Sequence, residues 1–259
     1  DSKINFSTDL LITNNILAGI FISNGADINL PNNITIYTEP NRYNSKGIVL
    51  YNSRANLSGE IQFNLGSGIY TGNHSTIIFD NIVNGSGNSE MRSGEYSFGA
   101  FAEYGSNLTF NQQVNFDQYT NSVKADQNSS VTFNNNLNIT NNVGTAIDLN
   151  LSPLSKFQNI KITGSSEEDF STTTGISIRK DNDNVITPEF PLQSNAVFEG
   201  TIELNNLGLA AEIRNSNVIF ENNLNVNNSI VGFKFANDTN ISQDIDIVTF
   251  NKPLIINNT

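Results

Sequence analysis

The chain has 259 residues and carries 13 Lys and Arg against 25 Asp and Glu, so its net charge of −12 argues against nucleic acid or an anionic membrane surface as the main partner. Asn occupies 46 positions and disfavours helix interiors, which argues against a mainly helical fold. The chain has no Cys, which excludes disulfides, Cys-ligated metal centres and a thiol nucleophile.

One apolar pattern recurs along the whole chain. An anchor residue, in most cases Phe, is followed four and six positions later by two further apolar residues. The segment VTFNNNLNITNN at 131–142 shows the pattern, and VIFENNLNVNN at 218–228 is a close copy. In chain order, the anchor positions are Phe6, Leu30, Leu57, Phe79, Phe110, Phe133, Phe157, Phe198, Phe220 and Phe250. Eight of these ten units keep the spacing, and the units at Phe79 and Phe157 are shorter.

A second short segment precedes the anchors. It opens with a small residue and continues with two apolar residues at spacing two, as in Gly19-Ile20-Phe21-Ile22, which lies eleven residues before Leu30. Gly68 and Gly99 stand at the same offset from their own anchors. Each apolar pair at spacing two predicts a short strand with one face inward, and the Asn, Ser, Asp and Gly between the pairs favour turns. Each unit, about 27 residues long on average, therefore predicts three short strands.

Strands this short need neighbours, because a strand of a few residues is not stable alone. Stacking successive units pairs each strand with its counterpart in the next unit and covers the apolar faces. We therefore predict an all-β fold, a right-handed parallel β-helix of about ten turns with side loops, in a single domain over residues 1–259. The anchors should form an interior ladder, and Asn side chains at matching turn positions should bond to their copies above and below. A β-sandwich or barrel does not require this register.

The alternation of Gly-apolar segments with Phe-x-x-Asn strings, such as Phe133-Asn134-Asn135-Asn136 and Phe220-Glu221-Asn222-Asn223, resembles the passenger domains of bacterial autotransporters (type V secretion). The nearest likeness is to their polymorphic outer-membrane and adhesin-like members. The resemblance implies a segment excised from a longer passenger, with a translocator barrel after Thr259. It also implies export across the outer membrane to the bacterial cell surface. The implied function is that of an adhesin, which binds a host protein or glycan or associates with its own copies in cell–cell aggregation.

Five insertions interrupt the repeat, at 37–46, 84–98, 163–174, 180–195 and 236–244. Loops on a rigid scaffold are common places for recognition. The first three insertions hold the candidate ligand-binding residues Arg42, Tyr43, Glu90, Arg92, Glu95, Tyr96, Glu167, Glu168, Asp169 and Phe170. This mixture of charged and aromatic side chains suits contacts with a protein or glycan. The alternative is a set of variable surface loops without a binding role.

Little in the sequence favours catalysis. The acidic run at 167–169 offers oxygen ligands to Ca²⁺, the one cofactor considered, but a solvated acidic loop is the simpler interpretation. His74, the single His, stands in a turn with no accompanying nucleophile motif. Glycan-cleaving enzymes need clustered carboxylates, whereas Asp148, Lys161 and Glu203 are scattered in the sequence. We therefore expect a binding protein and not an enzyme, with an extracellular polysaccharide-acting enzyme or an oligomerising toxin or structural passenger as alternatives.

Overall fold

The computed structural model of the chain describes residues 8–14, 17–37, 45–64, 66–87, 97–165, 172–180, 194–236 and 247–258. Within these ranges the chain forms 28 β-strands, numbered β1 to β28 in chain order, and no α-helix. Every third strand belongs to the same sheet, so the chain visits sheets A, B and C in turn. This part of the chain contains no helix with the length and apolar character needed to cross a membrane.

Each sheet is a stack of short strands. Sheet A consists of β1 (Leu10–Thr13), β4 (Ile34–Tyr37), β7 (Ile61–Asn64), β10 (Val83–Ser86), β13 (Val114–Asp117), β16 (Leu137–Asn142), β19 (Ile160–Gly164), β22 (Ile202–Asn205), β25 (Leu224–Asn227) and β28 (Leu254–Asn257). Sheet B consists of β2 (Ala18–Ile22), β5 (Lys46–Tyr51), β8 (Ser67–Gly72), β11 (Phe98–Ala102), β14 (Asn121–Ala125), β17 (Thr145–Asn150), β20 (Thr174–Arg179), β23 (Leu209–Arg214) and β26 (Val231–Ala236). Sheet C consists of β3 (Asp27–Leu30), β6 (Arg54–Leu57), β9 (Thr76–Phe79), β12 (Asn107–Phe110), β15 (Ser130–Phe133), β18 (Ser155–Phe157), β21 (Ser194–Phe198), β24 (Ser216–Phe220) and β27 (Ile247–Phe250).

All pairings between neighbouring strands of the described residues are parallel. Strand β1 is followed by nine turns of three strands each, so the chain winds repeatedly around a common axis. Such winding lets short strands satisfy their backbone groups in the rungs above and below. The predicted all-β parallel β-helix of about ten turns is confirmed.

The anchors form the predicted interior ladder, which we call the Phe ladder. From Leu30 in β3 to Phe250 in β27, each described anchor is in register with its counterpart in the next rung. From Phe79 onward the rings are stacked, with centroids 4.6 to 5.4 Å apart. The ring of Phe133 is 1% exposed. Burial of such a ring contributes about 1.5–3 kcal/mol, and ring packing adds about 1 kcal/mol. Phe6 lies outside the described residues.

Of the two units given above as shorter, only the unit at Phe157 is shorter in the structure, and the turn after Phe79 keeps three residues. After Phe157 the turn into sheet A has two residues, where the neighbouring turns have three. After Phe79 the second inward position of β10 is Gly85, which pairs with Phe63 and Phe116. A Cβ atom at Gly85 would lie 2.9 Å from the Phe116 ring, so the missing side chain leaves room for larger rings in the adjoining rungs.

The turns from sheet C to sheet A carry the predicted Asn contacts. At this corner, which has two or three residues in every described rung, amide and carboxylate side chains bond to the rung above or below. Asn111 donates to Asp80 (2.7 Å), and Asn134 donates to Asn111 (2.8 Å). We call this column of side chains the amide spine. The prediction of Asn side chains bonded between turns is confirmed here.

Buried serines stabilise the turns from sheet B to sheet C. The backbone N–H of Ser53 donates to Ser75 Oγ (3.2 Å), that of Ser75 to Ser106 Oγ (3.1 Å), and that of Ser106 to Ser129 Oγ (3.0 Å). All four serines are buried. This serine column therefore satisfies N–H groups that would otherwise be buried without a partner, which costs about 1–3 kcal/mol per group.

Candidate functional site

All ten predicted ligand-binding residues lie outside the described residues, so their prediction stays a prediction. These are Arg42, Tyr43, Glu90, Arg92, Glu95, Tyr96, Glu167, Glu168, Asp169 and Phe170. Both outer residues of the first three predicted insertions lie in described strands, and Tyr37 ends β4 while Lys46 begins β5.

The topology places all five insertions at one sheet. Residues 38–44, 88–96 and 166–171 connect strands of sheet A to β5, β11 and β20 of sheet B. Residues 181–193 and 237–246 leave sheet B from β20 and β26 toward sheet C. Each insertion therefore starts or ends at a strand of sheet B. By contrast, the corner of the amide spine has no insertion in the described part of the chain, because no described turn there exceeds three residues.

The outer face of sheet B also has a distinctive composition. One outward residue of each strand forms a row in continuous register, which we call the outer row. It contains Phe21, Val49, Tyr70, Phe101, Lys124, Asp148, Ser177, Glu212 and Lys234. The first four side chains are apolar or aromatic, and four of the other five are charged. In the matching row of sheet A, Asn84, Asn115 and Asn138 occupy successive rungs and bond to each other.

The aromatic half of this face is a second apolar cluster, separate from the interior core. Val49, Tyr70 and Phe98 are buried there, and Tyr51 and Phe101 pack against them. The Tyr51 and Tyr70 ring centroids are 5.3 Å apart, and those of Tyr70 and Phe101 are 5.6 Å apart. The winding of the helix does not require an apolar cluster outside its sheets, so this cluster is an addition to the repeat.

The Tyr70 hydroxyl group points from this cluster to a carboxylate. It donates a hydrogen bond to Glu103, which directly follows β11. Burial, reinforced by that bond and by the negative charge of Glu103, raises the pKa of Tyr70 far above its usual value. Tyr70 therefore acts as a neutral hydrogen-bond donor at the edge of the aromatic half.

The charged half of the face is a series of ion pairs between side chains of the same or adjoining rungs. Lys124 Nζ lies 3.7 Å from Asp126 and 4.8 Å from the centre of the Phe101 ring, so it also contacts the aromatic half. Arg179 pairs with Asp148 at 3.2 Å. Further along the rod, the Glu212 carboxylate accepts from Arg214 and from Lys234, each at 2.9 Å. Bonds between rungs of this kind hold the charged groups in fixed positions.

Positive charge is concentrated on this sheet. The described residues contain ten Lys and Arg, and six of them belong to sheet B strands or directly follow one. These are Lys46, Lys124, Arg179, Lys180, Arg214 and Lys234. Lys124, Arg179, Arg214 and Lys234 pair with carboxylates of the same face, so part of this positive charge is balanced within the sheet.

Two carboxylates of the charged half have opposite pKa shifts. Burial raises the pKa of Asp126 above its usual value, although Lys124 and the backbone N–H of Gln127 work in the other direction. For Glu212, burial alone would raise the pKa, but hydrogen bonds from Lys234 and Arg214 outweigh it and hold the pKa below its usual value. Asp126 therefore takes up a proton more readily than an ordinary carboxyl group, and Glu212 does so less readily.

The other candidates from the sequence have ordinary surroundings. His74 has a left-handed backbone, with φ at 61°, in the turn between β8 and β9, and its ring lies beside Gly105. Lys161 and Glu203 form an exposed ion pair of 3.8 Å on the outer face of sheet A. Across the ranges that the structure describes, no group of three or more His, Cys, Asp or Glu side chains is arranged to hold a metal ion. The acidic run at 167–169 lies outside those ranges.

Sequence reasoning missed the outer face of sheet B, although a signal for it exists. The residue between the two apolar positions of the Gly-apolar segment is Phe21, Tyr70 or Phe101 in three units. A strand position that faces solvent in a repeat of this kind is normally polar, so aromatic residues there are a sequence signal for the apolar cluster on the outer face. Comparison with known protein families, with curated proteins and with solved structures found no match.

Proposed function

We propose that this protein is a bacterial cell-surface adhesin, exported as part of an autotransporter passenger, and that it binds a host protein or glycan along the outer face of sheet B. The observation that carries this proposal is the attachment of all five insertions to strands of sheet B. These insertions border a face whose aromatic rings, arginines and ion pairs differ from the Asn rows elsewhere on the rod.

The chemistry of the face supports a binding role. Aromatic and Arg side chains carry much of the energy in protein interfaces. Arg179 and Arg214 stand in register on neighbouring rungs, and their guanidinium groups, which pair with Asp148 and Glu212, are of a chemistry suited to carboxylate or sulfate groups of a partner. The backbone beneath them is a paired sheet, so the contact groups are held in place before binding and lose little conformational entropy when a partner arrives.

A binding assay with matched variants tests the proposal. The Arg214→Gln/Lys234→Gln variant removes two positive charges from sheet B, and Lys156→Gln/Lys161→Gln removes two from sheets C and A. We expect the first variant to bind cultured epithelial cells or an immobilised glycan panel at least about tenfold more weakly, because it loses charged contacts. The second variant should bind like the parent. Equal binding by both variants, at equal thermal stability, would contradict the proposal.

One observation favours an extracellular polysaccharide-acting enzyme as a second candidate. Glu103, Asp126 and Asp148 bring three carboxylates to neighbouring rungs of sheet B, and the raised pKa of Asp126 suits a general acid. Release of reducing sugar from soluble polysaccharides by the parent protein, abolished in Asp126→Asn, would establish the enzyme in place of the adhesin. No sugar release, together with retained cell binding by Asp126→Asn, would eliminate it.

A further inference from the structure

The outer face of sheet C carries aliphatic side chains on both sides of its middle strands. They are Ile78 in β9, Leu154 directly before β18, Val197 in β21 and Ile219 in β24, whereas β12 and β15 present Thr109 and Thr132. Ile78 and Leu154 are about two-fifths exposed there, at 36% and 42%. Val197 and Ile219 are half-buried in later rungs of the outward row that contains Ile78. Aliphatic groups that recur on one face of a soluble protein indicate a contact surface.

This face of sheet C also has almost no net charge, and short turns border much of it. Among its described strands, the outward charged residues are Asp27, Arg54 and Lys156, a balance of +1 in a chain of net charge −12. From β3 to β18 the strands of sheet C are joined to their neighbours by turns of two to four residues on both sides. No insertion therefore borders this part of the face.

These properties fit a second copy of the chain as the occupant. Two acidic copies repel each other over most of their surfaces, so they can approach at least cost through a face without net negative charge. Nine strands of about four residues, spaced about 4.8 Å apart, give a face of about 500 Å² and so about 1,000 Å² for a pair. That area lies at the lower limit for a specific interface and is typical of weak association.

We propose that two copies of this chain associate through the outer faces of sheet C in a two-fold dimer centred on β15. Strand β15 is the middle one of the nine strands in the sheet. When two equal faces overlap fully about a two-fold axis, the centre of the face meets its own copy, whichever way the axis runs in the interface. Thr132, which points outward from β15, should therefore lie against Thr132 of the other copy.

Disulfide trapping tests the centre of this interface. The chain has no Cys, so a single introduced thiol can pair only with its counterpart in another copy. Under mild oxidation, Thr132→Cys should form a covalent dimer at least about tenfold faster than Asn138→Cys, because docking raises the effective concentration of the thiols. Asn138 lies at the middle of sheet A, faces outward and is half-buried like Thr132. Equal rates for the two variants would overturn the proposal.

Sedimentation measures the same association without a covalent bond. The parent protein should dimerise reversibly at high micromolar concentration, and added salt should strengthen the dimer by screening the repulsion between acidic copies. Thr132→Glu should raise the dissociation constant at least about tenfold, since two like charges would meet, whereas Asn138→Glu should not change it. A parent that stays monomeric up to millimolar concentration would refute the dimer.

The dimer does not rest on the binding role proposed for sheet B, and the two can fail separately. Loss of cell binding in the sheet B variant should leave sedimentation unchanged. Thr132→Glu should leave binding by the monomer unchanged.

Discussion

Two columns of side chains run the length of the rod, the Phe ladder inside sheet C and the outer row of sheet B. Both are in register from rung to rung, but the ladder repeats one residue from Phe79 to Phe250, whereas the outer row changes from aromatic to charged. An interior position must fill the same volume in every rung, and Phe does so by stacking on its own copy. An outward position carries no such requirement. The outer row can therefore vary without loss of the helix, which leaves its aromatic and charged residues available for the binding role proposed above.

The largest expected effect concerns the ladder. Phe133→Ala should lower the free energy of unfolding by about 3–5 kcal/mol, because it leaves a cavity between two stacked rings. Phe101→Ala, in the outer row and half-buried, should cost less than half as much. Urea unfolding of both variants measures the difference. Similar losses of unfolding free energy in the two variants would remove the distinction between the columns. A Phe133→Ala variant with the same unfolding free energy as the parent would refute the ladder.

The second prediction uses the opposite pKa shifts of the charged half. The pKa of Glu212 is lowered, so its contribution to stability is present above its ordinary value of 4.5 and is lost as the pH falls through the lower folded value. Glu212→Gln should therefore reduce the melting temperature at pH 7, and this reduction should shrink below pH 4.5. Ion pairs at this exposure contribute about 1 kcal/mol or less.

Asp126→Asn is the matched partner of that variant. The pKa of Asp126 is raised, so its contribution is fully present below its ordinary value of 3.8 and is lost as the pH rises through the folded value. The melting temperature of Asp126→Asn relative to the parent should therefore increase from about pH 4, just above that ordinary value, to about pH 7. The same pH trend in both variants would show that the two carboxylates do not differ as described.

A smaller effect is expected at the amide spine. Asn134→Ala removes the solvent-exposed hydrogen bond from Asn134 to Asn111. The free energy of unfolding should fall by about 0.5–1 kcal/mol. Asn222→Ala, in the same corner but bonded only to the backbone of Asn223, serves as the control. Equal losses would mean that bonds between rungs do not explain the recurrence of Asn.

The smallest effect is expected at the exposed ion pair of sheet A. Replacement of Lys161 and Glu203 by Gln should change the free energy of unfolding by less than about 0.5 kcal/mol, because both side chains are about half exposed. A chemical unfolding curve is sufficient to measure it. A larger loss would place this pair among the structural contacts.

The architecture could be read from the sequence because the interior positions within each unit recur at a nearly fixed spacing, with apolar residues four and six positions after the anchor. Phe110 and Phe133 are 23 residues apart in the chain and stack at 4.6 Å in the structure, and the equivalent units behave in the same way. Burial forces the regular spacing within each unit, whereas insertions lengthen the distance between anchors, which reaches 41 residues from Phe157 to Phe198. The Asn contacts between turns follow from the same register.

The outer face of sheet B could not be assembled in this way. Its ion pairs join residues separated by variable distances in the chain, since Asp148 and Arg179 are 31 positions apart and Arg179 and Arg214, which stand in register, are 35 apart. Insertions between the rungs change these separations. Only the register of the strands reveals which charged groups are neighbours, and the pKa shifts depend in turn on those neighbours.

The serine column gives the rod a direction. Each buried N–H in this column is satisfied by the hydroxyl group of the following rung, so a rung is complete only when its successor is in place. Opening should therefore begin at a terminus and advance inward one turn at a time, and amide protons should exchange most slowly at mid-rod. Because opening begins at the end rungs, proteolysis should be slow along the middle of the rod and should proceed from its two ends.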